Sequence, residues 1–343
     1  MRKGLFGAAA VACLWLTPAA LAPQALADDS EAELAIGGLR FTRTDAIQMV
    51  SEDLYLSMDR VRIRYVFHNR TGRDVTTRVA FPLPDILPDY YFEPVAIPNT
   101  GDPNFVRFET RADGRLIPME VDQRARLGGA DVTARVRAAG LPLSPIDPHF
   151  DDAVARLNTA TRSALLGAHL LENLNPGDKT QAPQYRALWS LSTTYSRMQT
   201  FPAGRDVTVE QLYAPIVGGS VESLLLIDSI PRTDANRRRL VAEYCVDEAF
   251  ERAARGAAQR YGGAEYVQER RLAYVLRTGA NWAGPIGRFH LTVDKGSPQN
   301  LVSLCAPDIR PTSDTRFELE RNNFTPRQDL QILFLTPQRA DQH

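Results

Sequence analysis

Histidine and cysteine are scarce in this sequence, and the common catalytic motifs are missing. The chain has five histidines and three cysteines in 343 residues, and no HExxH or HxH arrangement offers a zinc site. A GxSxG nucleophile elbow is absent, as are the GxGxxG and GxxxxGK[ST] loops that bind phosphate. No catalytic, cofactor-binding or metal-binding residue is therefore expected from a motif, and an enzyme is the less favoured class.

Long apolar runs are confined to the start of the chain. Two basic residues precede an apolar stretch over about 5–16, and small residues end at Ala27. This order is typical of a secretory signal peptide spanning residues 1–27, with cleavage between Ala27 and Asp28. A lipoprotein attached through Cys13 is the alternative, although the residues before Cys13 match a lipid-attachment box only loosely. We expect a soluble periplasmic or secreted protein with no membrane span in the mature chain.

An excess of basic charge is also lacking. Removal of residues 1–27 leaves 38 Lys and Arg against 41 Asp and Glu, a net charge of −3. Because nucleic acids and anionic membranes bind concentrated positive charge, this balance argues against a general nucleic-acid binder.

Two cysteines remain in the mature chain, Cys245 and Cys305. In an oxidising compartment such a pair favours a disulfide. Buried thiols or metal ligands are the alternatives, but no CxxC spacing or neighbouring histidine supports a metal site. A bond closing a loop of about 60 residues would stabilise the fold by roughly 4 kcal/mol on the chain-entropy model.

Alternating apolar and polar residues predict β-strands over much of the chain. Residues 61–81 alternate on both sides of a turn at 69–72, which predicts a hairpin. A second hairpin is predicted over 105–120, with its turn at 112–115.

The fold class predicted is mainly β with helical insertions, arranged as two β-sandwich-like units bridged by a small helical segment. The units are residues 28–122, a helical bridge at 123–182, and residues 183–343 with a helical excursion at 234–261. Asp247 is expected to cap the second half of that excursion, and glycines at 262–263 to end it.

Two aromatic segments are candidate binding loops. Tyr90, Tyr91 and Phe92 lie between prolines, and Trp282 lies in a turn between predicted strands. Exposed loop aromatics bind proteins or sugars. Alternatively, these side chains fold back and close the open end of a sandwich.

Two charged clusters have both a functional and a structural interpretation. The run at 237–239 could contact an acidic partner, but a solvated helix face is favoured. The Asp and His residues at 147–152 could bind a metal, but acidic residues also stabilise a helix N-terminus, which we favour here.

Residues TYSRMQTFPAGRDVTVEQLYAPIVGGS (194–220) and TGANWAGPIGRFHLTVDKGSPQNLVSLC (278–305) resemble an exported bacterial family. The family is known as domain of unknown function 4424, and the resemblance covers essentially the whole mature chain. Members of the family carry cysteines where Cys245 and Cys305 stand, which supports a disulfide. The resemblance implies no activity. Residues 61–120 are also similar to VIT domains, β-sandwich modules whose presence would imply protein interaction.

Together these features predict an exported, non-catalytic binding or envelope-assembly protein with no cofactor. Its partner would be an envelope protein or glycan that the sequence does not identify. The alternative is a periplasmic hydrolase acting on a cell-envelope carbohydrate or peptide through carboxylates that the sequence does not single out.

Overall fold

The computed structural model describes residues 30–35, 38–91, 95–100, 102–177 and 180–338. The predicted signal peptide, its cleavage site and Cys13 lie outside these residues. Within them, no helix combines the length and the apolar character that crossing a bilayer requires. The strands are β1 (Ser30–Ala35), β2 (Gly38–Thr42), β3 (Ile47–Ser57), β4 (Val61–Asn69), β5 (Val75–Pro82), β6 (Glu109–Ala112), β7 (Arg115–Ile117), β8 (Glu120–Leu127), β9 (Ala130–Asp131), β10 (Leu171–Asn173), β11 (Tyr185–Ala187), β12 (Ser190–Phe201), β13 (Asp206–Tyr213), β14 (Gly218–Ser220), β15 (Val267–Tyr274), β16 (Ile286–Asp294), β17 (Leu301–Leu304), β18 (Arg310–Pro311), β19 (Arg316–Phe324) and β20 (Leu330–Pro337).

The helices fall in the two segments where the sequence predicts them. They are α1 (Thr133–Ala138), α2 (Phe150–Ala155), α3 (Thr159–Gly167), α4 (Ala235–Glu243) and α5 (Glu248–Tyr261), with 3-10 helices at Pro88–Tyr91, Ala264–Tyr266 and Arg277–Asn281. The Asp247 side chain accepts a hydrogen bond from the Phe250 N–H at the start of α5, and Gly262 ends α5 in the left-handed conformation. The mainly β fold with helical insertions is thus confirmed.

The largest sheet has eight strands in the order β18-β19-β16-β3-β4-β13-β6-β7. Strands β16 and β3 pair in parallel, while their other neighbours are antiparallel. This sheet takes strands from both predicted β units, so its hydrogen bonds cross the predicted boundaries at 122 and 183. Whether residues 28–122 and 183–343 fold as separate units stays a prediction.

The predicted hairpin over 61–81 is wrong. Strand β4 belongs to the eight-stranded sheet, whereas β5 pairs with β1 and β12 in a six-stranded sheet of order β2-β1-β5-β12-β8-β9. The turn between them is a corner because the buried Asn69 side chain donates to the carbonyls of Arg73 and Phe201, each at 2.8 Å. These bonds direct the chain into the second sheet. The hairpin predicted around 112–115 is confirmed by the pairing of β6 with β7.

One large apolar cluster is shared by the eight-stranded sheet, the six-stranded sheet and a four-stranded sheet of order β14-β15-β20-β17. Representative buried members are Leu54, Phe67, Phe81, Tyr195 and Phe334. A separate cluster, centred on Trp189, packs α1, α2 and α3 against β8 and the β10–β11 pair. The strands therefore meet over a common core, while the helical bridge has its own.

Candidate functional site

A proline-rich segment leaves the six-stranded sheet where β5 ends, and we call residues 83–91 the proline strap. Proline has no N–H for a ladder, so β5 stops at Pro82. The strap stays beside β12 through the Leu83 N–H, which donates to the Thr193 carbonyl at 2.9 Å, and through a bridge between Ile86 and Leu191. It then forms the 3-10 helix Pro88–Tyr91. These bonds fix the strap along one side of a cleft.

Helix α4 forms much of the opposite side, which we call the helix wall (residues 236–244). Asp234 caps α4 by accepting from the N–H groups of Asn236 and Arg237, each at 2.9 Å. Arg237, predicted to lie on a solvated face, is only 2% exposed. Its guanidinium lies 3.1 Å from Glu251 and donates to the Leu224 carbonyl at 3.0 Å. The prediction is wrong for Arg237 because this residue ties α4 to α5, whereas Arg238 and Arg239 are exposed.

The disulfide predicted between Cys245 and Cys305 is confirmed, with Cα atoms 5.0 Å apart. Cys245 follows α4 in the left-handed conformation, with φ of 51°, and ends the helix. The preceding Tyr244 carbonyl accepts from the Ser303 hydroxyl at 2.9 Å. The bond therefore fastens the end of the helix wall to the end of β17.

Between the strap and the helix wall lies a cleft with a volume of about 530 Å³. We call it the strap cleft. Its apolar lining includes four buried side chains, those of Leu83, Val106, Leu240 and Leu272. Tyrosines from three segments also line it: Tyr90, Tyr213 and Tyr244. The volume and the mixed apolar and polar lining suit a small-molecule ligand.

The charged side chains around the strap cleft differ between its two sides. Asp85 and Asp89 belong to the strap. Arg239 belongs to the helix wall, and Arg271 projects from β15. The helix wall also carries Glu243, 3.7 Å from Arg239. The cleft thus has carboxylates on both sides, whereas both guanidinium groups of its lining lie opposite the strap.

Burial alters the acid–base behaviour of two groups in the cleft. Desolvation raises the pKa of Asp85, although a hydrogen bond from the Ser192 hydroxyl at 2.6 Å and the charge of Arg126 act in the opposite direction. Desolvation and the nearby Glu243 carboxylate raise the pKa of Tyr244. Tyr244 therefore stays a neutral phenol at physiological pH.

The predicted binding aromatics have different positions. Tyr90 is half-buried, packs against the main core and lines the cleft. Tyr91 lies in the same 3-10 helix, and Phe92 lies outside the described residues. Trp282 is 1% exposed, with its ring centroid 4.6 Å from that of Phe67 and 6.1 Å from that of Phe201. Trp282 therefore follows the alternative expectation and fills the core, so it offers no binding surface.

The charged residues of the cleft were not predicted to form one site, although Arg239 belongs to the run at 237–239 that was considered as a contact for an acidic partner. Asp85, Arg239 and Arg271 come from three distant segments, so no local pattern brings them together. The one local signal was the segment Pro82-Leu83-Pro84, because prolines that stop a strand leave a non-ladder segment at a sheet edge.

A second, smaller cavity of about 220 Å³ lies on the other side of the strap, where Ile86 and Leu191 contribute to its lining. The predicted alternative of a metal at 147–152 gains no support from the described residues, where no group of three or more potential ligands assembles. Asp147 instead accepts a hydrogen bond from the His149 N–H at 2.8 Å, just before α2.

The fold and the cleft define a mainly β protein with a ligand-sized depression between a proline strap and a disulfide-anchored helix. The chain belongs to the family described as "Domain of unknown function (DUF4424)", whose model matches residues 27–333. The similarity of residues 61–120 to VIT domains stays a prediction. A comparison with curated proteins finds no match.

Among solved structures, the chain is similar to the crystal structure of a "putative nutrient binding protein" from Legionella pneumophila. The two share 15% sequence identity, and the alignment covers 85% of this chain and 68% of that chain, with a TM-score of 0.38.

Proposed function

We propose that this chain is an exported, non-catalytic binding protein whose ligand occupies the strap cleft. The observation that carries the proposal is the cleft itself. Its volume of about 530 Å³ falls within the roughly 300–1,000 Å³ of ligand pockets, and its apolar floor is bordered by a few charged and phenolic groups. Such a lining buries the apolar part of a ligand and orients its polar groups.

Of two adjacent glycines in β14, Gly219 cannot carry a side chain, whereas Gly218 can and allows the cleft to be blocked. A Cβ built on Gly219 would lie 2.3 Å from the Glu269 carbonyl oxygen, so no side chain fits there. Gly218 lines the cleft, and a Cβ built on it meets nothing within 4 Å. A larger side chain at Gly218 therefore projects into open space, and Gly218→Phe is expected to fill part of the cleft.

The test is native mass spectrometry of the full chain after incubation with the small-molecule fraction of a periplasmic extract. We expect a non-covalent adduct on the wild type and none on Gly218→Phe. The matched control is Gly72→Phe, because a Cβ at Gly72 in the exposed turn after β4 also meets nothing within 4 Å. An adduct of equal abundance on all three proteins would place the ligand elsewhere and overturn the proposal.

Export is the second part of the proposal. It is supported by the Cys245–Cys305 disulfide, since such bonds form and persist in oxidising compartments. Mass spectrometry of the protein from a periplasmic fraction should find a mature N-terminus at Asp28. An intact Met1 on cytoplasmic protein would contradict export.

A hydrolase is the second candidate, favoured by the raised pKa of Asp85 beside other carboxylates in the same cleft. Against it, Asp89 lies 3.3 Å from Arg186, and Glu243 lies 3.7 Å from Arg239. Incubation with purified peptidoglycan should release no soluble fragments. Release by the wild type and by the control Asp228→Asn, but not by Asp85→Asn, would establish the hydrolase instead.

A further inference from the structure

We infer that the ligand of the strap cleft is a short peptide with free termini, held as a zwitterion between the strap and the opposite side. The inference rests on the proposed function, because it assumes that the cleft is the binding site. Its basis is the placement of the charged groups in the cleft. Asp85 and Asp89 lie on the strap, whereas both lining arginines lie opposite it, Arg239 beside Glu243 and Arg271 beside Glu269.

The strap provides the site for an ammonium group. Asp85 is hydrogen-bonded by a neutral hydroxyl, that of Ser192, at 2.6 Å. Burial disfavours its ionised form, so an added positive charge would stabilise that form. Asp89 is 76% exposed, and its ion pair with Arg186 joins single atoms at 3.3 Å. Both carboxylates can therefore accept further hydrogen bonds from a peptide amino terminus.

The opposite side provides the site for a carboxylate. The Arg239 side chain is 82% exposed, and its contact with Glu243 is a single one at 3.7 Å through Nε. A guanidinium has five N–H donors in a planar fork that matches a carboxylate, so Arg239 retains the capacity for a bidentate contact. Arg271 binds the buried Glu269 through Nε and Nη2, which balances its charge, so Arg239 is the group that would receive the carboxylate.

The floor between the two sides suits peptide side chains. Leu83, Leu240 and Leu272 are buried there, and the neutral phenol of Tyr244 can donate to a peptide carbonyl. A neutral glycan would make no use of opposite charges on two sides. A free-ended peptide matches all three parts of the lining.

The probe is the tripeptide Ala-Leu-Ala in three forms: unmodified, N-acetylated and C-amidated. Isothermal titration calorimetry on the full chain should show that either modification weakens binding about tenfold or more, because each removes one charge-assisted contact. Gly218→Phe should abolish binding of the unmodified peptide.

Two surface variants assign each terminus to one side. Asp89→Asn should weaken the unmodified peptide about tenfold and leave little further loss on acetylation. Arg239→Gln should likewise weaken binding of the unmodified peptide about tenfold, and amidation of the peptide should then cause little further loss. The matched controls are Asp228→Asn, whose carboxylate is 93% exposed beside Arg255, and Arg64→Gln, whose guanidinium is half-exposed beside Glu210. Both controls should bind all three peptides as the wild type does.

Equal affinity for the three peptides would overturn the inference that the ligand is held by both charged termini. Binding of the neutral trisaccharide chitotriose without binding of any peptide would also overturn it. If no peptide binds while Gly218→Phe still removes the adduct from periplasmic extract, the proposed function stands and only this inference fails. If Gly218→Phe leaves that adduct unchanged, the proposed function fails first.

Discussion

The two aromatic segments of this chain look alike in sequence but lie in opposite environments. Tyr90 lies two residues after Pro88, within a short 3-10 helix, and Trp282 lies two residues before Gly284, directly after another such helix. The Ala283 N–H donates to the Ile47 carbonyl at 2.8 Å, which holds Trp282 over the end of the large sheet, where its ring meets Phe67. Tyr90 instead belongs to the strap, whose backbone is hydrogen-bonded to β12. The position of the nearest backbone anchor, rather than the aromatic residue, decides which ring is buried.

Removing the two rings should give the largest difference between the segments. Trp282→Ala should lower the free energy of unfolding by about 3–5 kcal/mol, because it leaves a cavity in the main core. Tyr90→Ala should cost about 1 kcal/mol, since Tyr90 is half-buried, and should weaken ligand binding. Urea unfolding of both variants measures the difference. Equal losses would mean that the strap is as much a part of the core as the turn at Trp282.

Breaking the disulfide should loosen the Tyr90 side more than the Trp282 side. The variant Cys245→Ser/Cys305→Ser should lose about 2–4 kcal/mol of unfolding free energy, because the bond no longer restricts the unfolded chain. Hydrogen exchange should rise in α4, which ends at the bond, while β16 beside Trp282 should keep its protection. Equal increases in both elements would contradict a local role for the bond.

A smaller effect should distinguish the strap by its pH dependence. Burial raises the pKa of Asp85 above its ordinary value of 3.8, so ionising this group in the folded state is costly. The stability that protonated Asp85 contributes to the folded protein is complete below that ordinary value. It is lost as the pH rises through the folded-state pKa. Asp85→Asn cannot ionise, and its stability relative to the wild type should therefore increase between pH 3 and pH 7.

Thermal unfolding of Asp85→Asn and wild type across this range measures the effect. Asp89→Asn, at the exposed end of the same strap, is the control. A relative stability of Asp85→Asn that falls with pH would show that the Ser192 hydrogen bond outweighs desolvation.

Local features of the fold could be predicted from the sequence, whereas strand partners could not. Asp247 and Gly262 were predicted as the ends of α5 because capping depends on residues within one turn of helix. The period-two pattern over 61–81 gave two correct strands but the wrong pairing. Their separation depends on Asn69, which binds the carbonyl of Phe201 far along the chain.

The same limit applies to the candidate site. Tyr90 was identified because aromatic residues between prolines stand out in a sequence. Arg237 was misjudged because its partner, Glu251, lies on the next helix. Asp85 and Arg271 carry no local signal, and only the tertiary fold brings them to one cleft.

The parallel pairing of β3 with β16 has a consequence for how the chain folds. The partners Leu54 and Leu291 are separated by roughly 240 residues, and contacts of such separation form late because loop closure costs entropy. Until β16 has been synthesised, one edge of β3 at the middle of the largest sheet has no native partner. A chain truncated before residue 286 would retain that open edge, a template for pairing with other chains. Strand β16 therefore protects the edge of β3 from intermolecular pairing, and a chain that lacks β16 is expected to aggregate.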